Sequence, residues 1–322
     1  MPTPTAVRAA AAPPGTAAAP LHGLIGRWFD ENARTLPWRD PGCSAWGIMV
    51  SEFMLQQTPV ARVLPVWEEW LRRWPEPAAL AAEPSGEALR AWGRLGYPRR
   101  ALRLHAAATA IVERHEGEVP AGREELLALP GVGTYTAAAI ASFAFELPET
   151  VVDTNIRRVH ARAVTGNALP SPALTAAEFK LAEALMPEED TKRWNAGVME
   201  LGALVCTARS PRCGECPLLD RCAWIAAGKP EPHYVPKGQA WAGTDRQVRG
   251  AMMAVLRKAE GPVPRSLLLG TVDLVHDGAE HAVEIAKLQA LGASDEQLAR
   301  SLDGLLADGL AENVPAGVRL PA

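Results

Sequence analysis

No uninterrupted apolar stretch in the 322 residues approaches the ~20 needed to cross a bilayer, which argues against a helical membrane protein. A recognisable secretory leader is missing too. The opening MPTPTAVRAAAAPPGTAAAP is rich in alanine and proline, and its prolines interrupt any apolar core, so residues 1–20 are expected to be a disordered tail on a cytoplasmic protein. Nor is there an excess of positive charge. A net charge of -4 excludes a globally basic nucleic-acid binder, and DNA binding would have to rest on local arginines. Alternating strand patterns are scarce before the last hundred residues, and five cysteines, four of them between 206 and 222, do not suggest a disulfide framework.

What is present is an ordinary globular composition, 48% hydrophobic and 22% charged, long enough for two or three packed units. Leu21, Leu24, Ile25, Trp28 and Phe29 repeat at helical spacing, and turns at 40-DPG-42, 84-PSG-86, Gly117 with Pro120 and 169-LPSP-172 separate helices of usual length. The body therefore reads as mainly α. After Cys222 the stretch 228-GKPEPHYVPKGQAWAG-243 has the composition of a linker, expected over 226–243, and a smaller domain is expected over 244–322.

Three local patterns carry chemistry. Between Ala88 and Val112 lie Arg90, Arg94, Arg99, Arg100 and Arg103 with no acid, interleaved with Trp92 and Tyr97: a solvated helix face or a grip on phosphate. Cys206, Cys213, Cys216 and Cys222 are spaced C-x6-C-x2-C-x5-C, so one short loop can wrap a single metal centre; four thiolates suit an iron–sulfur cluster or tetrahedral zinc. Cys43, alone in a turn, reads as a bystander. In 129-LPGVGTYTAAAIASFAF-145, Gly131, Val132 and Gly133 precede a helix whose free N–H groups can hold a phosphate oxygen. A dinucleotide fingerprint is rejected, since the third glycine and the preceding strand are missing. Asp153 follows in 151-VVDTNIRRVH-160, where it can cap the helix starting near Asn155 or serve as a partly buried acid behind Val151 and Val152. Glu52 is the one acid in 46-WGIMVSEFMLQQTPV-60, an apolar setting that favours a raised pKa, although a surface or core carboxylate reads the same way.

The cysteine spacing, LPGVG and the following Asp153 resemble the iron–sulfur DNA glycosylases of the endonuclease III and MutY superfamily, and 36-LPWR-39 with SEFMLQQT resembles its MutY branch. The match spans roughly residues 21 to 225. The resemblance implies a two-lobed helix-hairpin-helix fold, a six-helix barrel lobe over about 50–160 and a cluster lobe from 21–49 and 161–225. It implies a [4Fe–4S] cluster on the four cysteines, with Arg209 and Arg212 of its loop on DNA phosphate. It makes Glu52 the acid that protonates adenine and Asp153 the carboxylate that stabilises the sugar cation, supported by Asn155. Trp38, Arg39, Leu55 and Glu200 would form the adenine pocket; Gln57 and Tyr97 would enter the base stack. Tyr135 stands where strand-cutting relatives carry a Schiff-base lysine, so water would complete the reaction and leave an abasic site.

The expected activity is thus removal, by a monomer, of adenine mispaired with 8-oxoguanine or guanine in duplex DNA. Thymine removal from T:G mispairs and a non-catalytic iron–sulfur DNA-binding protein are the alternatives. No Nudix-like pattern follows the linker. An amphipathic stretch (Val248, Met252, Val255, Leu256), a helix from Ser294 with a capping box to Gln297 and an apolar face of Leu298, Leu302, Leu305 and Leu306, and one short strand at 317-GVRLP-321 suggest a winged-helix-like unit, either a DNA-contacting domain or a packing appendage.

Overall fold

The structure, a computed structural model, describes residues 14–235, 238, 240–271 and 281–322. The chain runs through helices α1 (Pro14–Asn32), α2 (Ala45–Leu55), α3 (Val60–Arg73), α4 (Pro77–Ala81), α5 (Ser85–Trp92) and α6 (Arg99–Arg114). Next come α7 (Arg123–Leu127), α8 (Thr134–Phe145), α9 (Thr154–His160), α10 (Ala176–Ala184), α11 (Thr191–Leu204) and α12 (Ala223–Ala226). The last part holds α13 (Asp245–Lys258), α14 (Arg265–Leu268), α15 (Ala282–Gln289), α16 (Asp295–Ala307) and a hairpin of β1 (Glu312–Val314) and β2 (Gly317–Arg319). None of the described helices is long and apolar enough to cross a membrane.

Of the expected tail, residues 1–13 lie outside the described residues, and 14–20 are the first turns of α1. Pro14 supplies the fixed φ that suits a helix start, Ala17 to Ala19 have the strongest helix preference, and the turns from Leu21 onward are held by packing. In the expected linker, Pro236, Lys237 and Gln239 are likewise outside the described residues.

Two compact units emerge, Met1–Asp40 with Ala137–Pro236 and Pro41–Thr136 with Lys237–Ala322. The boundaries differ from the lobes inferred from sequence: Ala137–His160 clusters with the cysteine-bearing segment, and residues from 237 onward cluster with α2–α7. In the first unit, α1 buries Leu21, Ile25 and Trp28 against α11. The close approach depends on Gly197, where a Cβ would stand 3.0 Å from Ile25. Asn195 fastens α8 and the loop after it to α11 by donating to Ser142 and to the Glu149 carbonyl.

The second unit is built around tryptophan. Trp70 meets Trp74 and Trp92 edge to face, with centroids 4.7 and 5.8 Å apart, and all three are fully buried. Trp46 and Trp67 join them and place their N–H groups on the carbonyls of Trp74 and Gly47. The C-terminal stretch packs through α13 on α5. Here the single strand expected at 317–321 is a hairpin, β1 pairing with β2 across a two-residue turn and Val318 further bridged to Val263. Three-residue strands are too short for alternation to show in sequence. The capping box expected at Ser294 is half formed: its hydroxyl accepts from the Gln297 N–H, but the Gln297 amide reaches Asp245 and the Gly243 carbonyl instead of closing the box.

Candidate active site

Ser44 caps α2 by accepting from the Gly47 N–H, and every residue from Trp46 to Met54 is buried. Glu52 therefore sits 6% exposed on an all-apolar helix. Tyr135, in the first turn of α8, donates its hydroxyl to Glu52 Oε2 at 3.2 Å. The turn before it separates its two glycines by cause. Gly131 has φ +79°, and a Cβ there would come within 2.6 Å of the Arg103 stem; Gly133 has open space around it and no positive φ. Between them Val132 is buried and anchors the turn.

Gln57 and Tyr97 share an uncommon trait: φ is +54° and +47°, a conformation that non-glycine residues adopt only when their surroundings hold them in it. Both are exposed. Arg100, buried to 5%, holds the two turns together. Its Nη1 donates to the carbonyls of Phe53, Met54 and Gln56 at the end of α2, and its Nη2 to Thr58 Oγ1 and the Gly96 carbonyl. The guanidinium lies 5.5 Å from the Tyr97 ring. Burial lowers its pKa to about 10, and it is met by the negative end of a helix. Leu55, the last residue of α2, is half-buried beside these carbonyls.

In the other unit Asp153 is at once the N-cap of α9, accepting from the Ile156 N–H at 2.6 Å, and the acceptor of the Asn155 amide at 2.8 Å. Burial pushes its pKa up against these hydrogen bonds and the charge of Arg158. Asn155 in turn accepts from Arg158, whose other bonds go to the carbonyls of Gly202 and Cys206. Gly202 lets α9 and α11 come this close, since a Cβ there would sit 2.7 Å from Asn155. Glu200, fully buried, receives Arg34 Nε at 2.8 Å and Nη2 at 2.7 Å, and Arg39 Nη2 at 2.9 Å. Burial pushes its pKa up, but the hydrogen bonds from Arg34 and Arg39 and the charge of Arg39 outweigh this and hold it at about 2. Trp38, in the same turn as Arg39, is buried.

Known proteins match the segments that carry these carboxylates, the glycine turn and the cysteine loop. The HhH-GPD superfamily of base excision DNA repair proteins matches residues 50–184, and the iron–sulfur binding domain of endonuclease III matches residues 206–222. The chain is 49% identical over 291 residues to the adenine DNA glycosylase of Mycolicibacterium smegmatis, covering 90% of this chain and 92% of that one. The chain belongs to the adenine DNA glycosylase family. Identity to the Homo sapiens adenine DNA glycosylase is 40% over 211 residues, 63% of this chain and 39% of the human one. A thermostable thymine-DNA glycosylase of solved structure has a TM-score of 0.60 and 26% identity, covering 66% of this chain and 97% of that one.

The chain carries a [4Fe–4S] cluster, and the four cysteines of the matched 206–222 segment are the residues that would hold it. Cys206, Cys213, Cys216 and Cys222 line one cavity with Arg162 and Trp224. Four thiolates around one cavity are a donor set that a [4Fe–4S] cluster uses. Burial raises the thiol of Cys216 to about 11, so the sulfurs want a cation to ionise. Arg162, stacked on Trp224, donates to Cys206 Sγ at 3.5 Å and to the carbonyls of Thr207 and Ala208, tying the loop down. Arg212 bonds the Leu204 carbonyl and pairs with Glu215, whereas Arg209 is exposed with no side-chain partner among the described residues.

The sequence reading missed Arg34, Arg100 and Arg158, each a partner of a family motif residue or motif backbone from another element. The arginine run was the available signal, but its reading needs correction: Arg100 is internal, Arg90 and Arg99 bond within the unit, the Arg103 stem packs on Gly131, and Arg94, Arg99 and Arg103 are the exposed members.

Proposed function

We propose that this adenine DNA glycosylase hydrolyses the N-glycosidic bond of adenine mispaired with 8-oxoguanine or guanine in duplex DNA, acting as a cytoplasmic monomer and leaving the strand uncut. The observation that carries the reading is the Tyr135 hydroxyl on Glu52: the position following the glycine turn holds a phenol that orients an acid, not an amine that attacks a sugar.

Glu52 donates a proton to a ring nitrogen of the extruded adenine. The C1′–N bond then breaks with its electron pair moving to the base. Asp153, desolvated and hydrogen-bonded to an N–H and an amide with no guanidinium bonded to it among the described residues, stabilises the oxocarbenium-like sugar, an attraction strengthened by the low local dielectric. Asn155 fixes the carboxylate for that role. Water adds to C1′ and gives up its proton to the Glu52 carboxylate, so the products are free adenine and an abasic site. Trp38, Arg39 and Leu55 receive the base. Glu200 has both oxygens committed to guanidiniums, so it acts by orienting Arg39. Gln57 and Tyr97 fill the emptied stack, which offsets the unstacking cost of a few kcal/mol. Gly131, Val132, Gly133 and the start of α8 grip one phosphate run, and Arg209 and Arg212 another. Adenine is favoured over thymine because identity is 49–50% to adenine DNA glycosylases and 26% to the thymine enzyme.

The test is single-turnover excision on duplexes bearing A opposite 8-oxoguanine, A opposite G and T opposite G, with borohydride added in parallel. Adenine release on the first two, strand breaks only after alkali or heat, and little trapped adduct are expected. Glu52→Gln should lose ~100- to 10,000-fold in excision while binding duplex normally. Release of thymine in preference to adenine, or efficient trapping, would refute the reading.

A further inference from the structure

The turn that presents Tyr97 is the most conformationally demanding stretch of its unit: Gly93, Gly96 and Tyr97 have φ of +54°, +82° and +47°. Both elements leading into and out of it are fastened to the C-terminal stretch. Before the turn, Arg257 of α13 donates Nε to the Leu89 carbonyl at 2.8 Å, and Arg90 of α5 returns the bond to the carbonyls of Arg257 and Ala259. The Gly86 N–H, at the start of α5, donates to the Pro321 carbonyl at 2.9 Å, and a Cβ there would stand 2.4 Å from that oxygen. After the turn, Arg99 at the start of α6 pairs with Asp308 at 3.2 Å, and Asp308 also holds Arg249 of α13. Burial lowers the Arg257 pKa to about 10, and among the described residues the side chain has no carboxylate partner; its charge serves the end of α5. A cleft of about 830 Å³ lies at this junction, lined by Arg90, Arg94 and Arg257 among others, and these polar bonds bridge it.

The outer surface of the C-terminal stretch is poorly suited to a nucleic acid. From 245 to 322 it carries eight basic against eleven acidic side chains. Its last helix bears exposed Asp295 and Glu296, while Asp303 is paired with Arg265 and its one arginine, Arg300, with Asp245. Phosphate would meet repulsion there.

We propose that the C-terminal unit is a positioning element for the Tyr97 turn: it clamps α5 and the start of α6 so that Tyr97 is held ready to enter the base stack, and it reads no base itself. The proposal rests on the wedge role given to Tyr97 above.

A double-mutant cycle on the full chain tests it. Arg257→Met with Asp308→Ala breaks both fastenings; Tyr97→Ala removes the wedge; the triple variant combines them. The readouts are duplex affinity, single-turnover excision, and the fluorescence rise of 2-aminopurine placed at the target base. Breaking the fastenings should slow excision and the fluorescence rise on the order of 10-fold with affinity nearly unchanged, and should have under about 2-fold further effect once Tyr97 is alanine, because residues acting as one unit are non-additive. Independent, multiplicative losses, or a loss of duplex affinity equal to the loss of rate, would overturn the positioning role and leave the wedge standing. Full activity of Tyr97→Ala alone would overturn the wedge and this proposal with it. Asp308→Ala by itself removes only two partly exposed ion pairs and should fold with a modest loss of melting temperature, and it must show the same dependence on Tyr97 if the double variant does not fold.

Discussion

Asp153 and Glu200 lie in the same unit, Glu200 fully buried and Asp153 half-buried, and their environments pull them in opposite directions. Glu200 is met by two guanidiniums and is held ionised to about pH 2; Asp153 is met by a backbone N–H and an amide, and burial leaves its pKa raised. A buried carboxylate with a full counter-charge is a structural anchor. Asp153 is bonded only by dipoles, and the nearby Arg158 is bonded to Asn155 and the carbonyls of Gly202 and Cys206, so the carboxylate keeps an unmet demand for a cation, the condition for stabilising a positive charge that develops during reaction.

The sharpest way to break this contrast is to neutralise each in turn. Asp153→Asn should lower single-turnover excision by on the order of 1,000-fold or more, yet melt at or above the parent temperature, because ionised Asp153 opposes folding above its raised pKa. A variant that is both inactive and markedly less stable would instead make Asp153 mainly the cap of α9.

Glu200→Gln should do the reverse, losing about 2–3 kcal/mol of stability because two arginines keep their charge without a counter-ion. Excision would fall less than in Asp153→Asn. The pH dependence follows from the same geometry. A carboxylate whose folded pKa is lowered stabilises the protein fully above its ordinary value of 4.5 and loses that contribution as pH falls toward about 2. Thermal melts of wild type and Glu200→Gln should therefore converge on acidification; a gap that stays constant down to pH 3 would contradict the ion-pair account.

The smallest expected difference lies in the glycine turn. Gly131→Ala forces both a positive φ and a clash with Arg103, whereas Gly133→Ala meets open space. Melting should separate the two by about 1–3 kcal/mol, and duplex affinity should be the property that Gly133→Ala loses. Unchanged affinity in Gly133→Ala would remove the phosphate from that position.

These contrasts mark how far the sequence was readable. The carboxyls, the cap at Asp153, the glycine turn and the cysteine spacing were legible because each is local: the residues that make the feature lie within one loop or one helix start. Glu200 was legible as a residue but not as an anchor, since Arg34 is 166 positions away. Likewise Arg100 looked like one more cation in a basic run, and only the end of α2, 44 to 47 residues earlier, shows what its charge is for. The β1–β2 hairpin escaped because strands of three residues carry no period, and the first turns of α1 because prolines dominated the local composition. Long-range pairing decides such positions, and periodicity does not encode it.

The division of the chain also has a temporal side. The side chain of His22 in α1 bonds the carbonyl of Leu185, 163 residues later, and the Leu21, Ile25 and Trp28 face of α1 is covered by α11. On a ribosome adding ~5–20 residues per second, that face waits roughly 10–30 s for its cover. The cysteines leave the tunnel only just after α11, so docking of the first helix and loading of the cluster fall in the same short interval of synthesis. A nascent chain that stalls before Cys222 would thus expose an apolar helix at one end and unligated thiols at the other, the combination that chaperones and cluster-delivery factors must reach before aggregation or oxidation does.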